Sequence, residues 1–339
     1  MTIHFWLGLF LTFLSGILAA TFGVPMKYSR TWRWENTWLL FCILALLVFP
    51  WLVALRAAPG LFRLLSALPP IDFLPAVGFG FLWGIGQAAF GLGIDRVGTA
   101  VAFAIVIGMS SVLGSLIPLM VLQPEAIFQV RGLLLLASAA ILAAGLTVYG
   151  KAGSQRERDA GADTAARRVA DFRVGLWICI IAGMLGGMLN LGFAFSGKIA
   201  AQAVLFGLTP IRATYVIWPF VLTAGFIPNL LYTVFLLRRN HTLAAFARAP
   251  FRGGLLALGM AVFWLSGVQL YGVGAAVTGR FGTSIGFAVF MITLILWSSS
   301  LGIITGEWRG ARPATFRRMQ LGLGILVLAL FVLSITGLL

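Results

Sequence analysis

Trp83 and Gln87 stand four residues apart in an apolar run spanning residues 71–94. At about 1.5 Å of rise per residue a helix of that length crosses a bilayer core, and side chains at this spacing share one of its faces. An uncharged amide at such depth needs a partner from another helix or from a solvated cavity, because lipid offers none. Gly80, Gly84 and Ala88 leave room beside the pair. An indole face next to an amide is the equipment a neutral polyol or sugar calls for: a flat apolar surface for its C–H face, and a donor and acceptor for its hydroxyls. The structural alternative is an amide that only ties helix to helix and an indole that only packs.

The pattern recurs downstream. Trp264, Gln269, Gly272 and Gly274 precede Gly282-Thr283 as Trp83, Gln87, Gly91 and Gly93 precede Gly98-Thr99, and Glu125 and Glu307 each follow the next apolar run. A duplicated half accounts for this, and duplicated halves place a substrate site at their interface near mid-membrane. The copy is imperfect, since Trp264 and Gln269 are five residues apart, about 140° around an ideal helix. Two further amides fall inside apolar runs: Asn190, at the end of a small-residue face made by Gly183, Gly186 and Gly187, and Asn229. The candidate substrate-binding set is therefore Gln87, Asn190, Asn229 and Gln269 as hydrogen-bonding groups, with Trp83, Trp218, Trp264 and Tyr271 as walls. Pro118 predicts a kink in the fourth run. Pro219 and Pro228, on either side of Gly225, predict that the seventh is interrupted and lines a cavity or acts as a hinge.

The elements that must hold these residues are ten apolar runs: 5–26, 37–55, 71–94, 97–121, 132–150, 175–197, 210–237, 254–277, 282–305 and 319–339. Of the 339 residues 60% are hydrophobic and 10% charged, where soluble domains carry about a quarter charged, so the chain reads as an all-α polytopic membrane protein. Five runs precede the charged connector 151–174 and five follow it. An odd number of spans per half makes the halves, 1–150 and 175–339, inverted five-helix repeats. Of the 24 Lys and Arg residues, eighteen fall on odd-numbered connections, five on even ones, and Lys198 at a span end. That asymmetry predicts an inner-membrane topology with the connector cytoplasmic and both termini periplasmic. The first run lacks a basic start and a small-residue cleavage pattern, so it reads as a retained span. Lys198 reads as a snorkelling side chain.

The net charge of +15 does not point to nucleic acid, because the basic residues sit between apolar runs rather than on one face or segment. Both cysteines, Cys42 and Cys179, lie inside runs and suggest neither disulfide nor metal. The two histidines, His4 and His241, fall near the N-terminus and in a connection, so no triad or zinc site forms within the membrane. No Gly-rich loop precedes a Lys-Ser or Lys-Thr helix start. The sequence therefore predicts no enzyme, no catalytic residue, no metal and no cofactor. Every Asp and Glu falls in a connection or at a span end, whereas proton-coupled carriers usually place an ionisable group inside the bundle.

Three stretches carry a family resemblance: Ala19-Ala20-Thr21-Phe22-Gly23-Val24-Pro25-Met26-Lys27, then Trp32-Arg33-Trp34-Glu35, then Leu82-Trp83-Gly84-Ile85-Gly86-Gln87 with Gly91-Leu92. With Gln269, Tyr271, Glu307-Trp308 and the ten-span layout, the chain resembles the bacterial L-rhamnose–proton symporters of the drug/metabolite transporter superfamily. The resemblance implies two inverted five-helix repeats and uptake of a 6-deoxy sugar with H⁺. By matching position it makes Trp83, Gln87 and Gln269 cavity residues. The alternatives are a carrier of the same fold for another small metabolite, such as an amino acid or nucleoside, and a non-transporting scaffold or receptor. The last would leave no hollow between the halves and would bond Gln87 and Gln269 to protein alone.

Overall fold

The structure, a computed structural model, describes residues 2–29, 31–97, 99–159, 169–306 and 308–335; Gly98, Glu307 and the side chains of Asp95 and Thr99 lie outside the described part. It is helical, with no strand among the described residues. Ten segments are long and apolar enough to cross a membrane: Ile3–Met26, Trp34–Ala57, Pro70–Gly93, Ile105–Leu122, Gly132–Arg156, Arg173–Leu205, Pro210–Arg239, Pro250–Thr278, Gly282–Ile304 and Pro313–Val332. Each coincides with one of the ten predicted runs. Four of them open on proline, a residue whose missing N–H costs nothing in a first helical turn.

The spans are held by backbone-to-backbone approaches that only small residues permit. The third lies on the seventh so closely that a Cβ on Gly84 would stand 2.4 Å from the carbonyl oxygen of Gly225. The first lies on the eighth, where a Cβ on Gly267 would stand 2.7 Å from the amide nitrogen of Ala19. The first span packs mainly on the eighth and ninth, the sixth mainly on the third and fourth, and the fifth against the tenth. Cys42 and Cys179 are both wholly buried among these helices.

The irregular spans are not the expected one. The seventh is a single helix, Pro210–Arg239, that runs unbroken through Pro219 and Pro228. Each proline removes one N–H, but the close contact with the third span holds the neighbouring turns, and Asn229 Nδ2 donates to Gly225 O at 3.0 Å. The fourth likewise continues through Pro118. Instead the sixth span is divided into Val169–Gly186, Met188–Ala194 and Gly197–Leu205, and the first is broken between Thr2–Thr21 and Gly23–Lys27. The second contains a π-helical stretch, Ile43–Val48, two residues before Pro50. A widened turn there relieves the clash of the proline ring with the carbonyl four residues earlier.

The charged connector is helical at both ends: the fifth helix continues to Asp159 and the sixth begins at Val169. Lys198 does not merely snorkel. Its ammonium, on a residue 75% exposed, meets Asp72 Oδ1 at 2.6 Å. In the ninth span Ser298 and Ser299 donate to Ile295 O and Ser300 to Leu296 O of their own helix.

Candidate functional site

Six of the eight predicted residues fall into two groups. In the first, Trp83 and Trp264 stack with ring centroids 5.8 Å apart and planes 18° from parallel, so the indoles from matching places in the two halves meet each other. The glycine contact explains why Trp83 is positioned there: Gly225 offers no side chain, and the indole lies over the space a Cβ would need. Asn229 stands one turn further along the seventh span. It donates to Gly225 O and accepts from Trp38 Nε1 at 3.3 Å, which ties the second span to the seventh.

The second group is Asn190, Trp218 and Tyr271. Asn190 Nδ2 donates to Gly114 O and to Thr283 O, each at 2.7 Å, and its Oδ1 accepts from the Tyr271 hydroxyl. Its position follows from the glycine face on the sixth span. Gly183, Gly186 and Gly187 let that helix settle on the fourth, with Ser110 Oγ donating to Gly183 O at 3.0 Å, and the amide then falls opposite Gly114. One side chain thus joins the fourth, sixth, eighth and ninth spans. Trp218 is completely buried, stacked on Phe193 at 4.7 Å and edge-on to Tyr271 at 6.3 Å.

Polar capacity inside this packing is unequally used. Asn190 spends both N–H groups and its carbonyl on protein, and Asn229 is bonded through both amide atoms. Gln269 is 7% exposed, yet neither Nε2 nor Oε1 has a protein partner, and Trp218 Nε1 is equally unpaired. Gln87 is half-buried and makes no hydrogen bond among the described residues. A buried polar group left unpaired costs about 1–3 kcal/mol, so native chains keep such groups where a ligand or water takes up the bond. What this centre offers chemically is unpaired amide and indole N–H groups beside aromatic faces.

Two carboxylates complete the picture, and the sequence did not single them out as buried. Glu35, 5% exposed at the start of the second span, accepts from Asn240 Nδ2 at 3.1 Å and from Thr242 Oγ1 at 2.7 Å. Asp72, 9% exposed, is the partner of Lys198. They lie at opposite ends of the bundle, and each is held by residues of the other half of the chain. A polar cavity of about 680 Å³ opens beside Glu35, bordered by Arg33, His241 and Arg248. Its position beside a buried acid adjoining Trp32-Arg33-Trp34 is the signal that sequence reading lacked. Among the described residues no group of three or more His, Cys, Asp or Glu could hold a metal ion.

Ten spans, breaks in two of them and unpaired polar groups at the centre define a multi-pass inner-membrane protein of the solute-carrier kind. The profile of the family described as L-rhamnose-proton symport protein (RhaT) matches residues 1–338. The chain is 24% identical over 335 residues to the L-rhamnose-proton symporter of Mannheimia succiniciproducens, with 95% of both chains covered. It is 23% identical over 333 residues to that of Pectobacterium atrosepticum, again with 95% of each covered. With the symporter of Escherichia coli strain ATCC 8739 it shares 22% over 339 residues and 97% of each chain. The chain belongs to the L-rhamnose-proton symport protein family, a family of transporters and not of enzymes.

Proposed function

We propose that this protein takes up L-rhamnose or a related 6-deoxy sugar together with H⁺, by alternating access between two inverted five-helix halves. The observation that carries the reading is the amide of Gln269, buried and bonded to nothing, on the span whose Trp264 stacks on Trp83. Gln87, Gln269 and Trp218 Nε1 read the sugar hydroxyls, and the paired indoles supply the face on which its ring lies. Asn190, Asn229 and Tyr271 hold the walls in place.

Inversion of the halves is supported by how the spans pair. Adding or subtracting five turns the contacts of the first span with the eighth and ninth into those of the sixth with the third and fourth, and maps the fifth–tenth contact onto itself. The breaks in the first and sixth spans match in the same way. The basic residues favour the odd connections in the cytoplasm and both termini in the periplasm.

For the proton, the candidate acceptors are Glu35 and Asp72, each buried and each held by residues of the other half of the chain. Ionised, Glu35 accepts from Asn240 and Thr242, and Asp72 pairs with Lys198. These contacts tie the two halves together at either end, and protonating the acceptor weakens them. One face can then open while the other stays latched. The test is uptake of labelled L-rhamnose into proteoliposomes with and without an imposed pH gradient. Accumulation against a concentration gradient is expected only when the interior is alkaline. Equal uptake in both conditions overturns the coupling, and no uptake of any 6-deoxy sugar overturns the cargo.

A further inference from the structure

A cleft of about 1060 Å³ opens between the fourth, fifth and tenth spans, away from every residue assigned above to the sugar. Its polarity is sorted by depth. One end is walled by Ile105, Met109 and Val112 of the fourth span and by Ala143 and Leu146 of the fifth. The single hydroxyl near that end, on Thr147, donates to Ala143 O of its own helix at 2.8 Å. The other end carries Lys151, Gln155, Asp159, Arg312 and Arg318. From Ala143 to Asp159 the wall rises about 24 Å along the fifth helix, enough to run through one bilayer leaflet and its headgroup layer, about 20–22 Å.

The charges at the mouth do not cancel. Arg312 Nε meets Asp159 Oδ1 at 3.3 Å. Arg318 Nη1 donates to the neutral Gln155 Oε1 at 2.6 Å, and Lys151 has no partner among the described residues. Two positive charges thus remain without a counter-charge among the described residues. Close by on the same connection, Arg156 lies 5.0 Å over the ring of the buried Trp308. A sugar, even a 6-deoxy one with an apolar face, carries several hydroxyls that the apolar end would leave unbonded. An amphiphile with a negative head matches both ends at once.

We propose that this cleft is a binding site for an anionic phospholipid, its acyl chain against the fourth and fifth spans and its phosphate between Lys151 and Arg318. Basic pockets between spans bind such headgroups, and each basic residue near the surface contributes about a factor of five. The test is native mass spectrometry of the whole protein in neutral detergent, titrated with phosphatidylglycerol or with phosphatidylcholine. The wild type should retain phosphatidylglycerol in preference. Lys151→Gln combined with Arg318→Gln, both exposed and therefore harmless to the fold, should lower that affinity roughly 30-fold with phosphatidylcholine unchanged. Ala143→Trp fills the apolar end without touching a charge and should abolish retention of the lipid. Equal retention of the two lipids, an unchanged preference in the double variant, or full binding to Ala143→Trp would each overturn the site. So would displacement of the lipid by L-rhamnose but not by inorganic phosphate, which would make the cleft part of the sugar path.

Discussion

Replacing Gln269 by methionine separates a binding amide from a structural one, because the two roles predict opposite signs. Methionine matches glutamine in length and volume and has no strong donor or acceptor, so the shape of the eighth span is kept and only the polar atoms go. In the wild type both amide atoms are buried and unpaired, a penalty of about 1–3 kcal/mol that Gln269→Met removes. The variant should therefore unfold at least as late as the wild type, and up to that amount later, in guanidinium titrations of the detergent-solubilised protein. Its affinity for L-rhamnose, read by calorimetry, should fall by about 1–3 kcal/mol, or roughly 5- to 150-fold. A variant that is less stable and binds sugar normally would refute the reasoning, since the amide would then be tying helices.

Gln87→Ala should weaken sugar binding by about 1–3 kcal/mol and change thermal stability by less; wild-type uptake in that variant removes Gln87 from the site. Glu35→Gln keeps a hydrogen-bonding side chain but cannot exchange a proton, so sugar counterflow should continue while accumulation driven by a pH gradient is lost, and retained accumulation would free Glu35 of the coupling role. Gly84→Val would drive a Cβ to within 2.4 Å of the Gly225 carbonyl oxygen, a backbone atom of a packed helix. It should cost about 1–3 kcal/mol or more, and a wild-type melting temperature would show that the third and seventh spans are not in that contact.

Much of this architecture can be read from residue order alone, because a bilayer demands about twenty apolar residues per crossing and the breaks between them are charged. The glycine face on the sixth span and the small residues around Trp83 were equally legible, as their spacing is that of a helix. Two features were not. Proline spacing predicts the interruption in the seventh span, yet Pro219 and Pro228 are absorbed by a helix clamped on Gly80 and Gly84, whereas the break at Phe195–Ser196 carries no proline. There Ser196 Oγ donates to Gly192 O at 2.5 Å, and the chain restarts at Gly197. The fate of each amide was also hidden. Asn190 and Gln269 look alike in sequence, but the partners that satisfy Asn190 lie on three other spans, and none reaches Gln269. Glu35 stood at a predicted span end, and only the return of the chain at Asn240 and Thr242 encloses it.

The seclusion of Cys42 and Cys179 has a practical consequence. A thiol without solvent access does not meet a water-soluble maleimide, so the native chain is silent to such reagents and any introduced cysteine reports alone. One thiol beside Asp72 and another beside Asn240, placed in separate variants, would time the unlatching of each mouth during a transport cycle.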